Sequence, residues 1–542
     1  MTEQQRFPRH AWTVPGWQCE VPGGDPSSPE IWCYTDQFSY SAGDTVAVHV
    51  HTTADRYRLE VVRDGAHPET VYRLEDLPGE SHPTPADSYT VGCGWPVAAR
   101  IPVDPQWRSG LYLVIARIEV EGRIYEREHF FVLRAAVTGR TRYALMLTTT
   151  TMTAYNDWGG ANHYRGLGDD PEIDVPAAVV STQRPIARGM LRKPVGAPRS
   201  RHEYTPPPFW QPHHEAYEWA FANGYSRHHA DAFWATYERP FVVWAENHGY
   251  DFDYLTQHDL HFRPESLRDY QCLVIVGHDE YWTAEMRDAV DNFVDNGGNV
   301  ARFAGNFLWQ VRLDDTGATQ TCYKLPAFDP LYETDPSRVT TVWDAPIVGR
   351  PGAQTMGLTG FGGVYSRYGN AVPRSSGGFT VYRPEHWLFE GTDLYYGDVI
   401  GGAPVCTAAF ELDGVDYTFR KGLPYPTFED GAPETLEILA LAPAVVGAED
   451  RWNAEVPLGA PEFEAEMMLP FIYGDDVPEH QRDRRYGAGM VGVFTRGAGT
   501  VVNAGSCEWV NGLIERDFFT EQITHNTLRR LGAAPDAERE NS

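Results

Sequence analysis

The chain has 542 residues, a hydrophobic fraction of 42% and a formal net charge of −30. At roughly 150 residues per domain this length allows two to four domains, with enough apolar material for a sizeable core. So acidic a surface repels phosphate backbones and anionic lipid, and neither nucleic acid nor membrane is expected as a partner.

No apolar run reaches the roughly 18 residues that span a bilayer, and the opening MTEQQRFPRHAWTVPGW has no apolar stretch of a secretory leader. The seven cysteines are scattered without a C-x-x-C pair, so neither a zinc finger nor a disulfide framework is expected. The chain is read as cytoplasmic.

In chain order, residues 1–30 are rich in Pro and Gly and predict an extended arm. Residues 31–136 predict an immunoglobulin-like β-sandwich of short strands and turns. There Val46, Val48 and Val50 alternate in DTVAVHVHT, and GLYLVIARIEV and RIYEREHFFVLR join through Glu-Gly as a hairpin.

Residues 137–534 predict an α/β unit with inserted loops. YALMLTTTT reads as a buried strand leading into a loop, PAAVVST as another strand, and RPFVVWAENHGY as a helix stopping at Gly249. FDYLT and CLVIVG are strands. The next helix has Thr283 as N-cap, places Met286, Val290, Phe293 and Val294 on one face, and ends at Gly297. NVARFAGN returns as a strand. This alternation predicts an α/β class with a doubly wound, mostly parallel, glutamine-amidotransferase-like sheet. The Pro- and aromatic-rich segment 201–226 reads as an inserted loop. MVGVFTRGAGTVVNAGS rejoins the sheet, a helix closes the chain, and residues 535–542 form a disordered tail.

Chemistry concentrates where strands end. GHDEYW follows the most apolar strand, at the edge where open α/β sheets bind ligands. His278 and Glu280, two residues apart, can converge on one centre; equally, Asp279 and Glu280 suit the start of the following helix. TAYNDWGGANHYRG brings Tyr155, Asn156, His163 and Tyr164 to the same rim, either as site residues or as packing. Asn306 closes NVARFAGN as a substrate-orienting amide or a turn residue. Glu411 and Asp413 follow in AAFELDG, where the alternative is a solvated acid. His213, His214, His228 and His229 could bind zinc. No cysteine sits in a strand–helix elbow, and G-x-S-x-G, H-E-x-x-H and G-x-x-x-x-G-K-[ST] are missing. The reading gives no support to a nicotinamide or ATP site.

On TAYN, the Gly-Gly-x-x-x-Tyr segment ending at Tyr164, GHDEYW, GGNVARFAGN, HWLFEGTDL with AAFELDG, and TVVNAGSCEW, the chain resembles the large (beta) subunit of N,N-dimethylformamidase and its wider family, over about residues 140–531. The resemblance implies a mononuclear iron (Fe3+) amidohydrolase acting on a small amide such as an N-substituted formamide. It implies Tyr155, Tyr164 and Glu280 as metal ligands, Glu411 as general base, His278 as a proton-handling neighbour and Asn306 as a polar contact. It also implies a separate small subunit and an oligomeric assembly. The chain departs from the family in its shorter length and in RGLGDDPEIDVP after Tyr164, which makes Tyr204 the other candidate for the second tyrosine. Two other readings are a non-catalytic binding or structural protein of amidotransferase-like fold, and a zinc hydrolase built on the His-rich loop.

Overall fold

The computed structural model describes residues 7–8, 20–23, 25, 27–168, 173–199, 215–365, 377–409, 411–445, 469, 473–482 and 486–533. Most of the expected N-terminal arm, the tail 535–542, and Tyr204, His213 and His214 lie outside the described residues.

Two sheets form first. Ile31–Thr35, Thr45–Thr52 and Val97–Pro102 pair antiparallel. Facing them is a five-stranded sheet in the order Ser39–Tyr40, Arg123–Leu133, Gly110–Val120, Arg56–Arg63, Glu69–Pro78. Val46, Val48 and Val50 are buried with Val61, Val114 and Phe131 from the opposite sheet, as the alternation requires. The Gly110–Val120 and Arg123–Leu133 hairpin turns at Glu121 and Gly122, with φ of 52° and 76°. Two successive left-handed residues are what a two-residue hairpin loop needs.

The large sheet has nine strands, in the order Phe252–Thr256, Tyr143–Leu147, Cys272–His278, Asn299–Gly305, Gly499–Asn503, Tyr486–Arg496, Glu437–Val445, Phe379–Val381, Val399–Ile400. The first five run parallel and the rest antiparallel.

The expected α/β class with a doubly wound, mostly parallel sheet is therefore wrong. Strand outweighs helix, 33% against 20%, and the larger sheets are antiparallel or mixed. The physical reason lies in the connections. Parallel neighbours need a crossover of a dozen or more residues, and helix-bearing links of that kind occur mainly between Tyr143 and Gly305. Between Tyr486–Arg496 and Gly499–Asn503 there are only two residues, Gly497 and Ala498, and a link that short makes a hairpin. The G-x-G-x-x-G string at Gly487–Gly492 lies inside that strand and forms no phosphate-binding loop.

Two further local readings change. The threonine run after Leu147 is a buried helix, Thr149–Tyr155, and not a loop. Val179–Ser181 joins Thr319–Thr321 in a separate antiparallel sheet. The helices Glu238–Asn247 and Ala284–Asp295 form as expected, the latter capped by the Thr283 hydroxyl accepting from Met286 N. Trp32, Phe38, Leu111 and Phe130 of the sandwich share one apolar core with the Tyr143–Leu147 and Cys272–His278 strands. Among the described residues no helix is long and apolar enough to cross a membrane.

Candidate functional site

At the carboxyl end of Cys272–His278 the chain turns sharply at Gly277, φ +84°, where a Cβ would lie 2.2 Å from the Tyr237 Cβ. Only glycine allows this approach, and it sets the direction in which His278 and Glu280 leave the sheet. The Glu280 and Tyr281 amides donate to the Thr151 hydroxyl at 3.0 and 3.2 Å, tying this turn to the Thr149–Tyr155 helix.

That helix ends in Tyr155. The loop from Tyr155 to Tyr164 is fixed from within by polar groups that would otherwise be orphaned. Asn162 Nδ2 donates to the Tyr155 carbonyl at 2.8 Å, while its Oδ1 accepts from the Tyr164 and Arg165 amides at 2.9 Å. Buried Arg184 donates to the carbonyls of Asn156, Trp158 and Ala161. The tight Gly-Gly loop thus folds the two phenols together. The Tyr164 hydroxyl lies 2.9 Å from that of Tyr155 and 2.8 and 2.9 Å from the two Glu280 oxygens.

The sequence-derived residues Tyr155, Tyr164, Glu280, His278, Asn306 and Glu411 accordingly form one cluster, buried except for the half-buried Tyr164. His278 Nδ1 donates to the Asp231 carbonyl at 2.7 Å, and Nε2 faces Glu411 Oε2 at 2.6 Å and Glu280 Oε2 at 3.2 Å. Burial alone would depress the His278 pKa, but Glu411 and Glu280 outweigh it and raise it to about 10. Burial would likewise raise Glu280, and its hydrogen bond and attraction to His278, with Lys324 and Tyr164, bring it below the usual carboxylate range. Asn306 Nδ2 donates to Glu411 Oε2 at 2.8 Å.

Asp279 and Asp413 serve a different purpose. Both clasp the buried Arg302, which donates to Asp279 Oδ2 at 3.0 Å, to Asp413 Oδ2 and to Asn503 Oδ1 at 3.1 Å. Asp413 Oδ1 accepts from the Asn306 and Phe307 amides, which holds Asn306 at φ 64°. Asp413 is therefore neither solvated nor part of the cluster; it positions Asn306. Gly305 allows the Glu411 strand to approach, since a Cβ there would meet the Glu411 carbonyl at 2.5 Å and the Cys507 amide at 2.6 Å.

Several residues of the site were not anticipated. Lys324 is one of three lysines in the chain, beside Lys193 and Lys421. Its Nζ sits 3.4 Å from the Tyr164 ring centroid and 4.9 Å from that of Trp309. Burial pushes its pKa down to about 8, against the pull of Glu280. A lone lysine in the apolar CYKLP, in a chain that otherwise uses arginine, was the available signal. Trp309 Nε1 donates to Glu280 Oε1 at 2.7 Å, and the Tyr281 hydroxyl to that of Tyr164 at 2.6 Å. His163 stacks on the Tyr281 ring at 6.0 Å between centroids, its Nδ1 donating to the Ala177 carbonyl at 2.7 Å, and Asn156 braces Pro185, Ala187 and Trp158.

Tyr155, Tyr164 and Glu280 could hold a hard cation. They are oxygen donors, and the separations around Tyr164 match the edge of about 2.8 Å expected for an octahedron with bonds of about 2.0 Å. The His-rich loop gathers no comparable set among the described residues. His228 Nδ1 pairs with Asp231 at 2.7 Å, and His229 Nδ1 donates to the Ser226 carbonyl at 3.1 Å. The group of His, Cys and acidic side chains that does come to ligating separation is His278, Glu411 and Cys507.

A mixed sheet carrying a Tyr–Tyr–Glu oxygen cluster beside a His–Glu–Asn network defines the class of centre. The chain belongs to the family described as N,N-dimethylformamidase beta subunit-like, C-terminal, whose model matches residues 54–522. The N,N-dimethylformamidase beta subunit of Alcaligenes sp is 25% identical over 217 residues, 35% of this chain and 26% of that protein. The match thus spans about a quarter of that relative's length. A family 123 glycoside hydrolase from Clostridium perfringens aligns at 8% identity over 52% of this chain and 72% of its own, with a TM-score of 0.10 that carries no argument.

Proposed function

We propose that this chain is an iron-dependent amidohydrolase that cleaves the carbon–nitrogen bond of a small amide, such as an N-substituted formamide. The observation that carries the reading is the meeting of two phenols and a carboxylate from distant stretches around the Tyr164 hydroxyl. Membership of a dimethylformamidase beta subunit-like family supports it. Tyr155, Tyr164 and Glu280 would hold a mononuclear Fe3+, which favours hard oxygen donors. Bound there, the ion would supply Lewis acidity towards an amide carbonyl and a water.

The protein groups then move the protons. Glu411 takes a proton from the water as its oxygen bonds to the carbonyl carbon. It returns the proton to nitrogen as the carbon–nitrogen bond breaks, giving a carboxylic acid and an amine. Asn306 and His278 both engage Glu411 Oε2 and so fix the carboxylate. His278, as an imidazolium, balances the two neighbouring carboxylates. Lys324, Tyr281 and Trp309 form a cationic and aromatic wall suited to a small, weakly polar amide. The relative's name as a beta subunit supports a separate small subunit as partner, within an oligomer.

Elemental analysis of the purified chain, its visible spectrum and a screen of N-substituted formamides test the proposal. Stoichiometric iron, a phenolate-to-iron charge-transfer colour and hydrolysis are expected. Colourless, iron-free and inert protein would overturn it.

A further inference from the structure

The acid–base side of the cluster contains a second donor set that differs in chemistry from the oxygens of Tyr155, Tyr164 and Glu280. A ring nitrogen of His278, a carboxylate oxygen of Glu411 and Cys507 Sγ all lie within 4.8 Å of one another, and all three residues are buried. Cys507 belongs to no disulfide. It is brought there by Gly305, across which its amide donates to the Glu411 carbonyl at 3.2 Å.

Two independent observations point to a ligand. Glu411 uses Oε2 for Asn306 and His278, while Oε1 is buried without a hydrogen-bond partner among the described residues. Such an oxygen is costly unless something occupies it in another state of the protein. His278, for its part, donates Nδ1–H to a backbone carbonyl, that of Asp231, at 2.7 Å. This is how a metal-ligating imidazole is normally oriented, and Nε2, which here faces Glu411 and Glu280, is the atom that would meet the ion.

We propose that His278, Glu411 and Cys507 form a second cation site, selective for a thiophilic divalent ion such as Zn2+, whose occupation switches off the adjacent hydrolytic centre. Nitrogen, thiolate and carboxylate are the donors zinc takes, with a fourth position left for water. A thiolate disfavours the hard cation that the phenolates prefer, so donor hardness sorts two ions between neighbouring sites. The Cys507 thiol and the His278 Nε2 each release a proton to solvent on binding, since zinc takes a thiolate and a neutral imidazole. With Glu411 and His278 bound to the ion, Glu411 cannot move a proton for the reaction and His278 no longer carries the charge that balances the carboxylates. The switch-off rests on the hydrolytic reading above; the site itself does not.

The test uses the full chain with its native metal bound. One equivalent of Zn2+ should give an X-ray absorption spectrum with one sulfur in the first shell, at about 2.3 Å. Co2+ in its place should give a thiolate-to-cobalt charge-transfer band that Cys507→Ser lacks. Amide hydrolysis should fall at least tenfold with Zn2+ and return on chelation, and Cys507→Ser should need at least tenfold more Zn2+ for the same loss. Zinc without a sulfur neighbour, or a cobalt band that survives in Cys507→Ser, would overturn the site. Equal zinc sensitivity of the two proteins would overturn the switch. A chain that never hydrolyses amides still yields the X-ray and cobalt readouts, so failure of the hydrolytic reading stays distinct from failure of the site.

Discussion

Glu280 and Glu411 are both buried carboxylates of one cluster, yet their neighbours differ. Glu280 touches the Tyr164 phenol, whereas Glu411 is held by an amide and an imidazole. The expected outcomes of removing them differ accordingly. Glu280→Ala should lose the bound iron, read by elemental analysis. Glu411→Gln should keep the iron and its colour while turnover drops by about 10²–10⁴-fold, the usual contribution of a general base. Normal turnover in both variants would end the assignment. At this scale the sequence was legible for which side chains come together, because GHDEYW and AGN are distinctive strings, and much less so for what orients them. Arg184 and Asp413 act through backbone carbonyls and amides far away in sequence, and no local pattern marks such bonds.

Among the elements, the glycines at the strand ends decide where the donors meet. Gly277→Ala must accept both a left-handed backbone and a clash with Tyr237. We expect a loss of about 1–3 kcal/mol in chemical denaturation; a change within experimental error would mean that the Glu238–Asn247 side of the molecule can yield. Gly305→Ala meets backbone instead, the Glu411 carbonyl and the Cys507 amide. Backbone cannot step aside as a side chain can, so the loss in chemical denaturation should be at least that of Gly277→Ala, with kcat falling as well. Single elements were also what the sequence predicted best: the Gly110–Val120 hairpin and the Thr283-capped helix follow from turn and capping chemistry alone. Strand direction in the second half of the large sheet was misjudged, because apolar runs such as MVGVF specify a buried strand and not which way it runs.

For the whole molecule, burial of acids sets the response to pH. Asp344 is half-buried, with one oxygen accepting from the Thr359 hydroxyl at 2.8 Å and the other without a hydrogen-bond partner among the described residues. Burial raises its pKa to about 7, and does the same for Glu238. A raised acid binds its proton more tightly folded than unfolded. Stability from these two groups is thus full below the unfolded pKa of about 4 and declines as pH rises towards 7. Each contributes a slope of up to about 1.4 kcal/mol per pH unit in that window. Asp344→Asn should flatten the pH dependence of the denaturation midpoint between pH 4 and 7, and an unaltered profile would show that Asp344 is ionised in the folded protein.

Arg302 joins the two halves of the large sheet. Its guanidinium is shared among Asp279, after the strand on one side of Arg302, Asn503, on the strand on the other side, and Asp413 from the Glu411–Gly414 segment. A fragment ending near Asp329 would contain both phenols and Glu280, yet it would leave this cation in the interior with half its counter-charge missing. Losing one partner of a buried ion pair costs about 3–5 kcal/mol. The early portion of the polypeptide consequently has no route to a working pocket by itself: assembly of the centre waits for synthesis of the last strands, and a split version of the protein should be inert until its two pieces are mixed.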